Sequence, residues 1–355
     1  MHRLDNFKAI KKLDQQGMIG SIESLALQCQ QARDDVSTIR IPAAYRSART
    51  IWFNGMGGSA LGADVVRHAF QARLAVPFIV TNQYRVPRFV DRHTLAICSS
   101  YSGTTEEVTA SLTEARKRTN KILLIGAGGV LAAQAKQHHI PAYIFDPRFN
   151  PSNQPRMGLG YSLIGVLSLL QQAGFVHIAN AEFNAAIRHI IVLHKQFGVA
   201  VPTTRNQAKK IASYLHGRQG VVIAAEHLAG NAHIMANQIN ENGKSFANYF
   251  LISEMNHHLM EGLPFPRTNP RTLAFILLQS SQYHQRNRKR FIITERVLRR
   301  AGINAMTYQT RGAGDLQQIV ELLLLSSYVS FYLGILNGVD PSPIPVVDYF
   351  KKQLR

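Results

Sequence analysis

Two stretches of the chain carry side chains suited to moving a proton beside a bound anion. The first is Ser99-Ser100-Tyr101-Ser102-Gly103-Thr104-Thr105-Glu106-Glu107. The opening N–H groups of a helix lack partners and sit at the positive end of its dipole, so a hydroxyl-rich turn there can gather donors around a tetrahedral oxyanion. Gly103 would let the backbone turn tightly. The same letters also fit a plain N-cap, because Thr104 or Thr105 followed by glutamates resembles a capping signal. The second stretch is a pair of polar islands, Asn240-Glu241-Asn242-Gly243-Lys244 and Ser253-Glu254-Met255-Asn256-His257-His258. A carboxylate whose pKa is lifted from ~4.3 by partial burial can take a C–H proton and return it to the neighbouring carbon. An imidazole can move a proton at a sugar ring oxygen. Adjacent histidines point apart and no thiol or carboxylate stands at a useful spacing, so the pair does not read as a zinc site. Hydrogen-bonded surface histidines are the ordinary alternative for His257 and His258.

These groups need a frame. An apolar run at 94–98 precedes the hydroxyl loop and helical spacing at 105–118 follows it. Further strands are expected at 50–53, 78–81, 121–125 and 142–145, with helical spacing at 59–71 and 129–138. Alternation of this kind predicts a doubly wound parallel sheet. Gly55-Met56-Gly57-Gly58-Ser59 follows the first strand, and its glycines allow close backbone approach. It lacks the Gly-Lys-Ser/Thr of a Walker loop. The glycine loop and the hydroxyl loop would face one ligand from the C-terminal edge of one sheet. Gly126-Ala127-Gly128-Gly129, with Asp146 downstream, invites a nicotinamide reading. Leu131 at the third glycine position is not small, and a tight strand–helix turn is the bland alternative.

The Pro/Asn-rich segment 146–155 can be neither helix nor central strand. It leads to Arg156 and an apolar helix at 161–171, then to helices within 180–215. The second half repeats the logic, with strands at 221–225, 272–278 and 305–308 and a further candidate at 291–294. A long apolar helix at 316–336, a rigid proline-rich connection and a short basic helix at 346–354 complete the chain. The first forty or so residues read as amphipathic helix, broken by Pro42.

The bulk properties bound the function. At 355 residues, 46% of them apolar, the chain can bury one large core or two medium ones, which excludes extensive disorder. Forty Lys+Arg against 21 Asp+Glu give +19, favouring anionic partners: phosphorylated metabolites, nucleic acid or acidic surfaces. The dense patch Arg286, Arg288, Lys289, Arg290, Arg296, Arg299 and Arg300 reads as a solvated helix face rather than a nucleic-acid footprint. Two cysteines, Cys29 and Cys98, make no disulfide framework and suit a reducing, cytoplasmic setting. No apolar signal segment opens the chain. The apolar run 322–336 is short for a bilayer and contains Ser326, Ser327 and Ser330, so it is expected to be a core helix.

Taken in order, Gly55-Met56-Gly57-Gly58-Ser59, Ser100-Tyr101-Ser102-Gly103-Thr104-Thr105, Pro155-Arg156, Asn240-Glu241-Asn242-Gly243-Lys244, Glu254-Met255-Asn256-His257, Tyr328-Val329-Ser330-Phe331-Tyr332-Leu333, Val339-Asp340-Pro341-Ser342-Pro343 and Lys351 form a set. The set resembles the bifunctional phosphoglucose/phosphomannose isomerase family, which is built of two sugar isomerase (SIS) domains. That resemblance implies an α/β protein of two SIS-type αβα sandwich domains with mainly parallel sheets. An N-terminal helical segment (1–45) would precede the first domain (46–175) and the second (176–338), and a C-terminal helix (339–355) would close the active site. It implies aldose–ketose isomerisation of glucose 6-phosphate and fructose 6-phosphate, extending to mannose 6-phosphate if the pocket around C2 tolerates both epimers. Glu241 would shuttle the proton between C1 and C2. His257 would open the ring with help from Lys351, and Arg156 would stabilise the enediolate. Ser100, Ser102 and Thr105 would hold the phosphate, while Gly58 and Ser59 would line the sugar site. The expected partners are a sugar phosphate and a second copy of the chain, with a histidine crossing between subunits of a homodimer. Cofactor, metal, membrane and nucleic acid are not expected.

The chain departs from the family pattern at three places. Thr104 stands where Asn is usual, Gly243 where Ala is usual, and His258-Leu259 where Asn-Glu is usual. A sugar-phosphate sensor without catalysis is the rival reading from another class, although the N-terminal segment is short for the DNA-binding domain such sensors carry. An isomerase of an amino-sugar phosphate is a nearer rival, with similar pocket chemistry.

Overall fold

Parallel strands covered on both faces must be apolar throughout, and the strands here have that composition. The computed structural model describes residues 3–354. Three helices open the chain: α1 (Phe7–Leu13), α2 (Met18–Glu23) and α3 (Leu25–Ser37). The helix expected over the first forty residues is thus broken at Gly17, which takes a left-handed φ of 67°, and at Ser24. There follow β1 (Thr50–Gly55), α4 (Gly58–Ala69), β2 (Phe78–Thr81), β3 (Thr94–Ser99), α5 (Glu106–Ala115), β4 (Ile122–Gly126), α6 (Gly129–Gln137) and β5 (Ala142–Ile144). All pairings are parallel, in the order β2-β1-β3-β4-β5. The chain therefore reverses direction across the sheet between β1 and β3, and the loops after those two strands flank the switch point.

Helix α7 (Leu159–Gln172) follows and packs on α3 and α4; the second half then contains α8 (Asn180–Phe197), α9 (Gln207–Leu215), β6 (Gln219–Ala225), α10 (Ala229–Glu241), β7 (Ala247–Ile252), the single turn α11 (Asn269–Thr272), β8 (Leu273–Gln279), α12 (Gln285–Arg300), β9 (Ala305–Gln309), α13 (Asp315–Asn337) and α14 (Pro345–Gln353). Its sheet is also parallel, in the order β7-β6-β8-β9. This matches β2-β1-β3-β4 strand for strand, so the two halves share one winding. The structure differs from expectation at two places. Residues 291–294 lie inside α12 rather than in a strand, because only Phe291, Thr294 and Leu298 of that basic helix turn inward. Residues 247–252 form a strand where none is expected, although Tyr249-Phe250-Leu251-Ile252 is an apolar run; as an edge strand it is covered only in part.

Helix α13 is long and apolar enough to cross a membrane, yet that stretch is wholly buried inside the protein, packed among α8, α9 and α10. Both cysteines are buried thiols whose pKa is pushed up to about 12 by loss of solvent. Close packing joins the halves. A Cβ on Gly62 would strike the Ser162 hydroxyl, and one on Gly230 would meet the Val65 Cα at 2.6 Å. Helix α4 is thereby pressed against both α7 and α10.

Candidate active site

At the switch point of the first sheet the two expected loops meet. The Ser59 hydroxyl, in the first turn of α4, accepts the backbone N–H of Tyr101 at 2.8 Å. In the hydroxyl loop Ser100 Oγ lies 2.7 Å from Thr105 Oγ1, and Ser102 Oγ lies 2.9 Å from Thr104 Oγ1. Thr105 occupies the N-cap position of α5, but its side chain makes no capping bond. Its hydroxyl pairs with Ser100 instead, so the plain capping reading does not hold. Gly103 adopts φ 70°, and a Cβ there would collide with the Gly128 carbonyl oxygen. The loop at 126–129 props the hydroxyl loop: Ala127 N–H donates to Tyr101 O at 2.9 Å and Leu131 N–H to Gly103 O at 3.0 Å. Its glycines serve this close approach, in keeping with a tight strand–helix turn.

Gly58 makes the next link. A Cβ at this position would meet the Pro155 carbonyl carbon at 2.8 Å and the Arg156 nitrogen at 2.9 Å. The glycine loop therefore lies directly against the 3-10 turn Pro155–Met157 that carries Arg156. The Arg156 side chain is 1% exposed. Its guanidinium donates to Asn242 Oδ1, to Gln154 Oε1 at 2.7 Å, and to the carbonyls of Ser342 at 2.6 Å and Pro341 at 3.2 Å. Its remaining neighbour is Glu241, whose Oε2 lies 3.6 Å from Arg156 Nη1. Acceptors from five residues thus surround one buried cation, the arrangement a buried charge requires.

Glu241 is the last residue of α10, and its side chain is 31% exposed. Burial raises its carboxyl above the ordinary value, while the charges of Arg156, Lys244 and Lys351 pull it back down. Lys351, on α14, is thus within electrostatic reach of Glu241. The residues flanking Glu241 hold Arg156 from behind. Gln238 donates to the Arg156 carbonyl at 3.0 Å and to Ser327 Oγ at 3.2 Å, and Asn242 donates to Ser330 Oγ at 3.0 Å. The serines that interrupt the apolar helix α13 are therefore a mount for the site. Their sequence context speaks only against a membrane span; the available signal for the mount is a polar pair on one side of an otherwise apolar helix.

Lys244 belongs to the motif around Glu241, and the structure gives it a role that the sequence does not suggest. It has a positive φ of 53°, and its ammonium donates to the carbonyls of Glu241, Pro341 and Pro343. It thereby ties the proline-rich connection to the end of α10. Burial, followed by the nearby Arg156 charge, lowers its pKa to about 8.

His257 stands apart in this chain. It ends the 3-10 turn Glu254–His257 after β7 and is exposed, and its side chain makes no hydrogen bond, ion pair or ring contact among the described residues. Two departures from the family pattern have local causes. A Cβ on Gly243 would come within 2.6 Å of Ile239 O and 2.9 Å of Leu333 Cδ2, so alanine does not fit beside Leu333. Leu259 faces an apolar gap with Met255, Leu263, Val297 and Leu298, where an acidic side chain would lose its solvation.

A cavity of about 330 Å³ opens beside Gly57, between α4 and α10, and reaches Asn237 one helical turn before Glu241. Its far wall holds Asp64, which accepts from His233 Nδ1 at 2.9 Å and Arg67 at 2.6 Å. Those partners hold the Asp64 carboxyl below its usual range against the opposing effect of burial. Among the described residues, no group of three His, Cys, Asp or Glu side chains is gathered as a metal would need.

Paired parallel sheets, with a hydroxyl loop linked through glycines to an arginine–carboxylate pair, make up the frame and the candidate site. Comparison with known proteins supplies the family. Residues 204–354 match the family described as bacterial phospho-glucose isomerase C-terminal SIS domain. A bifunctional phosphoglucose/phosphomannose isomerase of Aquifex aeolicus is 30% identical over 306 residues, 86% of this chain and 90% of that protein. One of the same name from Caldicellulosiruptor bescii is 29% identical over 342 residues, 95% of this chain and 98% of that protein. Among solved structures, a hypothetical protein of Thermus thermophilus superposes with a TM-score of 0.73 at 17% identity, covering 98% of this chain and 92% of its own. The chain belongs to the bifunctional phosphoglucose/phosphomannose isomerase family.

Proposed function

We propose that the protein interconverts glucose 6-phosphate and fructose 6-phosphate, and mannose 6-phosphate and fructose 6-phosphate, through a cis-enediolate. The observation that carries this reading is the Glu241–Arg156 pair. A partly solvated carboxylate of raised pKa lies 3.6 Å from a fully buried guanidinium, and Gly58 and Ser59 connect the backbone turn that carries that guanidinium to the hydroxyl loop. The substrate phosphate binds the hydroxyls of Ser100, Ser102 and Thr105 and the N-terminus of α5, where charge-assisted donors converge. The sugar lies over Gly58 and Ser59.

His257, acting from a neighbouring subunit of a homodimer and assisted by Lys351, moves a proton from O1 to the ring oxygen and opens the ring. Its exposure, and its lack of partners among the described residues of its own chain, support a role across the interface. Glu241 then removes the C2 proton of the open aldose. Arg156 offsets the negative charge that develops on the O1–O2 enediolate. A proton passes from O2 to O1 of the intermediate, and the protonated Glu241 returns its proton to C1, giving the ketose. Mannose differs from glucose only in configuration at C2, so the same planar intermediate serves both.

The test is a panel of hexose 6-phosphates assayed for turnover and for exchange of the C2 hydrogen with deuterated solvent. Turnover and exchange with glucose and mannose 6-phosphates are expected. Exchange with an amino-sugar phosphate alone would replace the substrate assignment, and no exchange with any member would overturn it.

A further inference from the structure

A second spacious cavity lies away from the isomerase site. It holds about 790 Å³, lies between α3, the connection that follows it, and the C-terminal part of α7, and contains none of the residues assigned above. Its floor is apolar: Val36, Ile164, Leu167 and Phe183 are all buried. Its mouth carries Arg33, Arg40 and Arg46, and no Asp or Glu lines it. None of the three arginines has an ion-pair partner among the described residues. Arg33 donates only to the neutral Asn180 side chain. Its guanidinium also lies 4.2 Å over the Phe183 ring, forming a flat wall that is cationic on one side and aromatic on the other.

Like charges gathered around one opening repel each other, and an entering anion removes that repulsion. Guanidinium groups match carboxylate, sulfonate and phosphate oxygens in pairs. The volume falls within the range of small-molecule sites, and the apolar floor rewards a ligand that brings a hydrophobic body. We propose that this cavity is a second ligand site, which takes a small organic anion with an apolar or aromatic body, its charge at the arginines and its body against Phe183 and Leu167.

The test uses the fluorescence of anilinonaphthalene sulfonate with the full chain. One saturable site is expected, unchanged by saturating glucose 6-phosphate. The uncharged parent, phenylnaphthylamine, should bind at least about tenfold more weakly, as should the sulfonate to the Arg33→Gln/Arg40→Gln double variant, since a charge-assisted contact of roughly 1.5–3 kcal/mol exceeds one decade. Both arginines lie at the solvent edge, so that variant should keep its fold and isomerase turnover. Ser168→Trp, which fills the cavity, should also abolish binding. Equal affinity for the uncharged parent, undiminished binding by the double variant, or displacement by glucose 6-phosphate would overturn the proposal. Because the site shares no residue with the isomerase centre, loss of turnover in Glu241→Gln has no bearing on it.

Discussion

Replacing Glu241 by glutamine removes one ionisable oxygen and leaves the shape of the side chain almost unchanged. Arg156 keeps its bonds to Asn242, Gln154, Pro341 and Ser342, so the buried cation remains solvated by the protein. The structural effect should therefore be small. A carboxyl with a raised pKa favours the folded state in its protonated form. Its contribution to stability is lost as pH rises from the ordinary carboxylate range through the raised value. Glutamine removes that loss together with a partly solvated attraction to Arg156. The net change at neutral pH should stay under about 1 kcal/mol. Catalysis should respond differently. Positioned general bases contribute about 10²–10⁴-fold, or about 2.7–5.5 kcal/mol of barrier. In a coupled dehydrogenase assay that follows glucose 6-phosphate formation, turnover should fall by that factor while sugar-phosphate binding, measured by calorimetry, persists. The wild-type rate should decline towards acid through a pKa above the ordinary carboxylate value, and the residual rate of the variant should lack that limb. Turnover within a few-fold of wild type, or an acid limb that survives the substitution, would refute the assignment of the base.

Three other perturbations probe the surroundings of the site. Gly243→Ala should destabilise the fold by roughly 1–3 kcal/mol through overpacking against Leu333 and Ile239 O, read by denaturant titration. His257→Ala and Glu241→Gln proteins, each inactive, should regain about a quarter of wild-type turnover when mixed and allowed to exchange subunits, because half the dimers are mixed and each holds one complete site. No recovery would place His257 outside a shared site. Lys244, with its pKa near 8, should acetylate ahead of Lys352 at that pH, and substrate should slow the reaction; peptide mass spectrometry reads both.

Most of the first sheet is legible in the sequence because its signals are local. A buried parallel strand must be a short apolar run, and the glycine and hydroxyl loops after β1 and β3 declare themselves by composition alone. The second sheet is harder to read. Its edge strand β7 carries an apolar run, Tyr249–Ile252, but lies between the polar islands around Glu241 and His257 and is only partly covered, while the apolar run Phe291–Thr294 of α12 mimics a strand between arginines. Glu241 and Arg156 can each be singled out from their motifs, but nothing local says that they meet. That depends on a glycine at 58 thin enough to let α4 rest on the Arg156 turn, and on Gln238, Asn242, Ser327 and Ser330 facing inward from two separate helices. Local chemistry chose the loops and the candidate groups. Tertiary packing decided which carboxylate is desolvated, which cation is buried beside it, and which histidine is left exposed, because burial and pairing are properties of neighbours far apart in the chain.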